Sequence, residues 1–393
     1  MNRTASRTHG FTESVIREMT RVANEAGAIN LAQGFPDFPA PDVLKEAACE
    51  AIRADINQYA VTWGTPRLRR ALARKYATDY GMEIDEAREI TVTCGATEAM
   101  AAALLAVVNE GDEVVVFEPF YENYGPDAIL CGGRPVWVPL DASGPLDMDR
   151  VRAAVTPRTR AIVINTPNNP TGRALDRSEL ECLAELCRRH DLIAFTDEIY
   201  EHIKYDVEHV PLATFDGMRD RTVTISGFSK TFSVTGWRVG TIVAPPDLTL
   251  AIRKVHDFLT VGAPAPLQEA CAAGLEFLGP DYYEALAYEY RQRRDVLYAG
   301  LLDAGFRCTS PRGAYYILAD FSELSDQPDD VYARWLARGG SGDGGPGVAP
   351  VPGSSFFHDP ALGRHLVRFA FCKRIETLCQ AGERLRRIAR DSG

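Results

Sequence analysis

The sequence predicts an α/β protein that combines a large domain around a mostly parallel mixed sheet with a smaller α+β domain. Short runs rich in valine and isoleucine alternate with helical segments through the first two thirds of the chain. These runs lack a clean alternation of apolar and polar residues, which is typical of strands buried on both faces. Beyond Pro264 long helical segments dominate, and two further strand-like runs follow.

Helices are predicted where apolar residues recur at spacings of three and four, and strands where β-branched residues cluster. The helices fall at residues 42–54, 67–80, 96–110, 178–190 and within 265–304. The strands fall at residues 89–94, 112–119, 134–140, 160–167, 192–198, 221–227, 239–245, 313–321 and 365–371. We assign residues 41–285 to the large domain and residues 1–40 and 286–393 to the small domain. A glycine-rich stretch at 339–347 predicts a mobile loop, with an active-site lid as the alternative.

Composition excludes several classes of partner. The net charge of −11 over 393 residues argues against nucleic acid or an anionic membrane. The amino-terminal residues do not form a signal peptide, and no apolar run approaches the length of a membrane span, so a cytoplasmic protein is predicted. Nine cysteines spread along the chain do not predict a disulfide framework, and seven scattered histidines predict no catalytic metal.

Four loops that follow predicted strands carry polar residues, and ligands bind at the carboxyl ends of strands in open α/β sheets. Gly95 and Ala96 lie between a strand and a helix, where free backbone N–H groups favour an anion, although small residues also occur there for steric reasons. Asp197 ends an apolar strand, so its charge needs a buried cation unless it caps the next helix. The loops read "CGAT", "NTPNNPTG", "TDEIY" and "SGFSK".

Lys230 has the least typical surroundings of the six lysines, because it follows a buried strand. Burial lowers the pKa of an amine and prepares it for Schiff-base chemistry, whereas an arginine cannot deprotonate. The other lysines are assigned to polar helix faces (Lys45, Lys75 and Lys254) or to charged and polar neighbourhoods (Lys204 and Lys373).

Six segments of the chain, in this order and spacing, resemble the class I and II aminotransferases, a fold-type-I family that depends on pyridoxal 5′-phosphate. The resemblance covers roughly residues 13–390. The first two segments point to the subgroup of kynurenine, glutamine and aromatic aminotransferases. The segments read "NLAQGFPDFPAP", "NQYAVTWGTPRLRRALA", "NTPNNPTG", "TDEIYEH", "SGFSKTFSVTGWRVG" and "GAYYILADF".

The resemblance implies a site for pyridoxal 5′-phosphate. Lys230 would form the Schiff base with the cofactor aldehyde and move the substrate proton. Asp197 would keep the pyridine nitrogen protonated, and Tyr200 and Asn169 would hydrogen-bond the phenolic oxygen of the ring. Tyr121 would stack on the ring; without the resemblance, its position predicts core packing.

The resemblance also implies a phosphate site shared between two subunits. Arg238 would bind the cofactor phosphate together with Gly95, Ala96 and Thr97. Tyr59 would reach the phosphate of a partner subunit, so the active sites of a homodimer would contain residues from both chains.

One position departs from the family pattern. Many relatives have a phosphate-binding serine three residues before the lysine, where this chain has Gly227. Either Ser229 or Thr231 would replace that serine, or backbone groups would suffice.

For the substrates, the resemblance implies an amino acid donor and a 2-oxo acid acceptor in a ping-pong reaction. Arg368, with Gly34 and Asn169, would bind the substrate α-carboxylate. Without the resemblance, a surface position on an edge strand is an equal alternative for Arg368.

A neutral or aromatic side chain is predicted for the amino donor. No second arginine for a side-chain carboxylate is identifiable, and Thr97 stands where some acidic-substrate relatives have a lysine. Trp63, Phe35 and the apolar residues 256–264 are expected near the pocket. The alternatives are an aspartate aminotransferase, a β-lyase acting on cysteine conjugates, and a sensor that binds the cofactor without turnover.

Overall fold

The computed structural model describes residues 3–141, 144–340 and 345–390. No helix within these ranges is both long and apolar enough to cross a membrane. Part of the predicted glycine-rich loop, residues 341–344, lies outside the described residues. The helices are α1 Val15–Ala26, α2 Asp42–Arg53, α3 Pro66–Tyr80, α4 Ala96–Val107, α5 Tyr124–Leu130, α6 Met148–Ala154, α7 Arg177–His190, α8 Pro246–Leu259, α9 Ala265–Phe277, α10 Pro280–Asp303, α11 Asp329–Ala337 and α12 Ile375–Arg390.

The strands form a seven-stranded sheet, a four-stranded sheet and a two-stranded ribbon. In the seven-stranded sheet the order is β2-β8-β7-β6-β5-β3-β4. Strand β8 runs in the opposite direction to the other six strands, which are parallel to one another. The predicted α/β class with a mostly parallel mixed sheet is therefore confirmed. The strands are β1 Ile29–Asn30, β2 Ile90–Thr93, β3 Glu113–Glu118, β4 Arg134–Pro139, β5 Thr159–Asn165, β6 Ile193–Asp197, β7 Thr222–Gly227, β8 Gly240–Val243, β9 Arg307–Cys308, β10 Tyr316–Asp320, β11 Val348–Ala349, β12 Val351–Pro352 and β13 Leu366–Ala370.

Both faces of the large sheet are covered, which explains why its strands do not alternate in polarity. Along β3, Val114 and Val116 pack into the core on one face, while Val115 and Phe117 pack into the core on the other. Successive side chains of a strand point to opposite faces, so a strand buried on both sides needs apolar residues throughout. Helices α4 and α8 pack together on the first face, and α7 contributes to the second.

A separate core surrounds the antiparallel sheet of β12, β13, β10 and β9. It includes residues from α1, α10, α11 and α12, so the first and last parts of the chain pack together. The domain boundaries at residues 41 and 286 stay a prediction.

A buried ion pair joins α3 to the loop that follows β6. Lys75 Nζ lies 2.5 Å from Glu201 Oε2, and their side chains are only 9% and 5% exposed. Glu201 also accepts hydrogen bonds from Tyr80 and Ser226. Burial acts to raise the pKa of Glu201, but the charge and hydrogen bond of Lys75, together with the imidazoles of His202 and His209, outweigh it and hold that pKa well below its usual range. The assignment of Lys75 to a polar helix face is wrong, because a helical pattern does not reveal a carboxylate on another element.

Replacing Lys75 with methionine is expected to lower the free energy of unfolding by about 3 kcal/mol, because Glu201 would keep a buried charge without its cation. The double variant K75M/E201Q is expected to recover part of that loss. The matched control K45M removes an exposed pair with Asp42 and is expected to cost less than about 1 kcal/mol. Urea denaturation of the three variants tests this, and equal losses in K75M and K45M would contradict it.

Candidate active site

A cleft of about 1400 Å³ opens where the carboxyl ends of β5, β6 and β7 meet the antiparallel sheet. Parallel strands end at the same edge of a sheet, so loops that are distant in sequence converge there. Ten of the predicted site residues line this cleft: Gly34, Ala96, Thr97, Tyr121, Asn169, Asp197, Tyr200, Lys230, Arg238 and Arg368.

Asp197 is the last residue of β6, and its carboxyl group is buried in the cleft. It accepts a hydrogen bond from the Tyr124 hydroxyl at 2.7 Å and one from the Ile199 backbone N–H at 3.3 Å. Burial raises the pKa of Asp197, although these hydrogen bonds and the nearby Lys230 act in the opposite direction. A carboxylate in this position favours a cationic partner inside the cleft.

Lys230 follows β7 and lies within the same cleft. Burial lowers the pKa of its ammonium group to about 8, and the positive charges of Arg238 and Arg368 act in the same direction. Lys230 Nζ donates to the Gly34 carbonyl at 3.3 Å. The amine is therefore partly neutral near physiological pH, which is the form that attacks a carbonyl group.

An anion cradle forms where α4 begins. Gly95 precedes the helix with a φ of +85°, and a side chain there would come within 2.2 Å of the Arg238 guanidinium. Gly240 packs against the same turn, where a Cβ atom would lie 2.3 Å from the Gly95 carbonyl carbon. Both glycines are needed for this close approach, which sets the N–H groups of the first turn of α4 beside a guanidinium.

Arg368 lies in β13 and is fully buried. Its Nη1 donates to Asn169 Oδ1 at 2.8 Å and its Nη2 donates to the Ala32 carbonyl at 2.6 Å. Its Nε has no hydrogen-bond partner among the described residues. The alternative of a surface arginine on an edge strand is wrong, because β13 lies between β12 and β10 and Arg368 is fully buried. In the described part of the chain its hydrogen bonds go to an amide oxygen and a backbone carbonyl, so the guanidinium favours an anionic ligand.

Tyr59 does not line the cleft of its own chain, and its side chain is 89% exposed. Trp63 is also absent from the lining and packs under the Arg253 guanidinium. Of the apolar residues 256–264, Thr260 lines the cleft, whereas Phe258 is 92% exposed. Within one chain, Phe35 and Thr260 line the cleft as expected, whereas the prediction is wrong for Trp63 and for Phe258 of the segment 256–264.

Gly227 is accounted for by packing. A Cβ atom at this position would lie 2.9 Å from the Val239 carbonyl oxygen and 3.0 Å from Gly240 Cα. Of the two candidates to replace a serine there, Ser229 lines the cleft, while Thr231 lines a small cavity elsewhere.

Two tyrosines in the cleft were missed by sequence reasoning. Tyr124 donates to Asp197, and Tyr316 hydrogen-bonds Tyr200 with the hydroxyl oxygens 3.1 Å apart and packs 4.2 Å from the Arg368 guanidinium. Tyr124 lies three residues after Tyr121, at the start of a short helix. Residues at that spacing are neighbours on a helix, so the spacing was the sequence signal that Tyr124 accompanies Tyr121 in the cleft.

Comparison with known proteins agrees with this geometry. The family model described as aminotransferase class I and II matches residues 26–337. The methionine aminotransferase of Escherichia coli is 37% identical, over 95% of this chain and 96% of that protein. Kynurenine–oxoglutarate transaminase 1 of Homo sapiens is 35% identical, over 98% of this chain and 97% of that protein.

Solved structures show the same fold along the whole chain. The N-succinyldiaminopimelate aminotransferase of Mycobacterium tuberculosis superposes with a TM-score of 0.93 at 41% identity, over 98% of this chain and 100% of that chain. Aspartate aminotransferase from Thermus thermophilus, solved with maleate, superposes with a TM-score of 0.90 at 32% identity, over 99% of this chain and 100% of that chain. The chain therefore belongs to the class I and II aminotransferases of fold type I, enzymes that use pyridoxal 5′-phosphate to move an amino group to a 2-oxo acid.

Proposed function

We propose that this transaminase takes the α-amino group of an amino acid with a large neutral or aromatic side chain, and that Lys230 is its catalytic amine. The observation that carries the proposal is the position of Lys230, with its lowered pKa, in one cleft with Asp197 and Arg368. We place this activity in the cytoplasm, as the sequence predicts.

The residues present fit pyridoxal 5′-phosphate. The turn at Gly95, whose missing Cβ leaves space beside Arg238, suits the phosphate, and Ala96 and Thr97 add the first turn of α4. Asp197 suits the pyridine nitrogen, because a buried carboxylate stabilises a protonated ring. When bound, the cofactor supplies an aldehyde that condenses with amines and a ring that accepts electrons from the substrate Cα.

The chain's own residues then bind and orient the substrate. Arg368 binds the α-carboxylate, with Asn169 holding one side of its guanidinium. Gly34 permits close approach, since a side chain there would lie 2.1 Å from the Tyr316 hydroxyl oxygen. Lys230 Nζ would accept the proton from the substrate Cα, and its lowered pKa keeps the amine partly deprotonated for that role.

Two tyrosines orient the ring in this proposal. Tyr200, next to Asn169, would donate its hydroxyl to the phenolic oxygen, and the Tyr316 hydroxyl lies 3.1 Å from the Tyr200 hydroxyl. Tyr121 would stack on the ring, and its own ring makes an edge contact with Tyr124.

The preference for large neutral side chains is supported by the wall of the cleft. Apolar side chains from the amino-terminal segment, α5, β4 and the loop after β12 line it. A hydrophobic wall favours a side chain that buries apolar area, by roughly 0.8 kcal/mol for each CH₂ group. These side chains are Phe11, Ile16, Ile129, Trp137 and Phe357.

A second candidate substrate is a long acylated diamino acid, of the kind named for the Mycobacterium tuberculosis relative. The cleft volume of about 1400 Å³ favours it, because that space exceeds the needs of a cofactor and a small amino acid together.

We also infer a homodimer with shared active sites. Tyr59 and Phe258 are both exposed and lie in the same region of the surface. Their two segments are in contact, because His256 Nε2 lies 2.8 Å from the Thr62 carbonyl oxygen. That region adjoins the cleft at Thr260. Exposed aromatic side chains of this kind mark protein–protein interfaces, and a partner's Tyr59 would complete the phosphate site.

The substrate proposal predicts that methionine, glutamine and phenylalanine each bleach the visible absorption band of the bound cofactor, as the cofactor takes up the amino group. Their kcat/KM values are expected to exceed that of aspartate by about tenfold or more, because their side chains bury apolar area against the hydrophobic wall. N-succinyl-diaminopimelate belongs in the same panel as the second candidate. Preferred turnover of aspartate would contradict the proposal.

The dimer proposal predicts that the wild-type protein sediments at twice the mass of the chain. The variant F258D is expected to be monomeric and to lose most of its cofactor affinity, because a buried interface would receive an unpaired charge. Y288D, which alters an exposed tyrosine on α10, serves as the matched control. A fully active monomeric wild-type protein would contradict shared active sites.

A further inference from the structure

His358 lies in the wall of the cleft, where several contacts fix its orientation. It has no role in binding the cofactor or the substrate α-carboxylate as proposed for the other cleft residues. It follows β12, and its side chain is 44% exposed. Its Nδ1 lies 3.0 and 2.9 Å from the two carboxylate oxygens of Glu118, and its backbone N–H donates to the same carboxylate at 3.1 Å. Its ring stacks on Trp137, with centroids 5.7 Å apart and planes inclined by 10°, and Trp137 stacks on Phe120.

The Glu118 carboxylate orients the imidazole through Nδ1. Glu118 ends β3, and its side chain is 1% exposed. A buried carboxylate needs a cation, and within the described residues His358 is the basic side chain that contacts it. With Nδ1 held by Glu118, Nε2 is the ring nitrogen left for a ligand, and in the doubly protonated ring it donates to a carbonyl oxygen.

His358 lies near Arg368 along the wall of the cleft. The Phe356 ring packs 4.9 Å from the Arg368 guanidinium, and the Phe356 carbonyl accepts a hydrogen bond from the Phe120 backbone N–H. His358 is two residues further along, at most about 7 Å between Cα atoms. The imidazole of His358 and the guanidinium of Arg368 therefore line one cleft, next to the same short segment of chain.

We propose that His358 forms a side-chain subsite that binds the terminal carbonyl oxygen of a long substrate side chain, in an amide or a carboxylate. This inference rests on the proposed function, because it takes Arg368 as the site of the α-carboxylate. The cleft of about 1400 Å³ has room for such a side chain beside the cofactor. Glu122 and Asp127 line the same cleft, and their carboxyl groups repel a terminal carboxylate more than a neutral amide. The test therefore compares an amide substrate with the corresponding acid.

The test measures kcat/KM for 2-aminopimelate, for its terminal amide and for the apolar isostere 2-aminooctanoate. The variant H358N retains a donor near the position of Nδ1 and deletes Nε2, so Glu118 keeps a partner. It is expected to lower kcat/KM for the amide, the acid or both by about 10- to 100-fold, the range for a hydrogen bond involving a charged group. Turnover of 2-aminooctanoate is expected to change by less than about twofold.

Two further variants separate a specific contact from general effects. H358Q places a donor near the position of Nε2 and is expected to retain more of the preference than H358N. R17Q removes an exposed cation that lines the same cleft and is expected to leave the preference unchanged. Equal losses for all three substrates, no loss in H358N, or the same loss in R17Q would each overturn the subsite. Turnover of 2-aminooctanoate by the wild type tests the proposed function independently of that outcome.

Discussion

Burial of one amine at the end of a β-strand is the constraint on which the rest of the site depends. Lys230 follows β7 in a place where water cannot stabilise an ammonium group well, and burial lowers its pKa to about 8. The guanidinium groups of Arg238 and Arg368 reinforce that effect, while Asp197 opposes it. The positive charges that suit a phosphate and a carboxylate therefore also prepare the amine for covalent chemistry.

The parallel sheet explains how these charges come together. Asp197 ends β6 and Lys230 follows β7, its neighbour, so strand pairing alone brings the two loops to one edge. Arg368 comes from the other sheet, and its contacts with Asn169 and Ala32 join the two parts of the chain across the cleft. The buried guanidinium of Arg368 and the exposed guanidinium of Arg238, both of which line the cleft, suit the paired anions of substrate carboxylate and cofactor phosphate.

Strand boundaries and the residues that follow them could be predicted from the sequence, because apolar runs and turn residues are local signals. Lys230 and Asp197 were found in this way, from charged side chains at the ends of buried strands. Lys75 was misplaced, since its partner Glu201 lies on another element and leaves no trace in the helical pattern. Tyr59 and Phe258 face outward in one chain, so their neighbours depend on an assembly that no local pattern describes. The orientation of His358 likewise arises from Glu118, 240 residues earlier.

The most direct test of the account asks which side chain bonds the cofactor. Sodium borohydride reduces the C=N bond between the cofactor and its lysine to a stable amine, which peptide mapping then locates. The account predicts that the label falls on Lys230 and is absent from the K230A variant. A label on another lysine, such as the buried Lys75 or Lys373, or a wild-type protein that stays unlabelled after saturation with the cofactor, would contradict it.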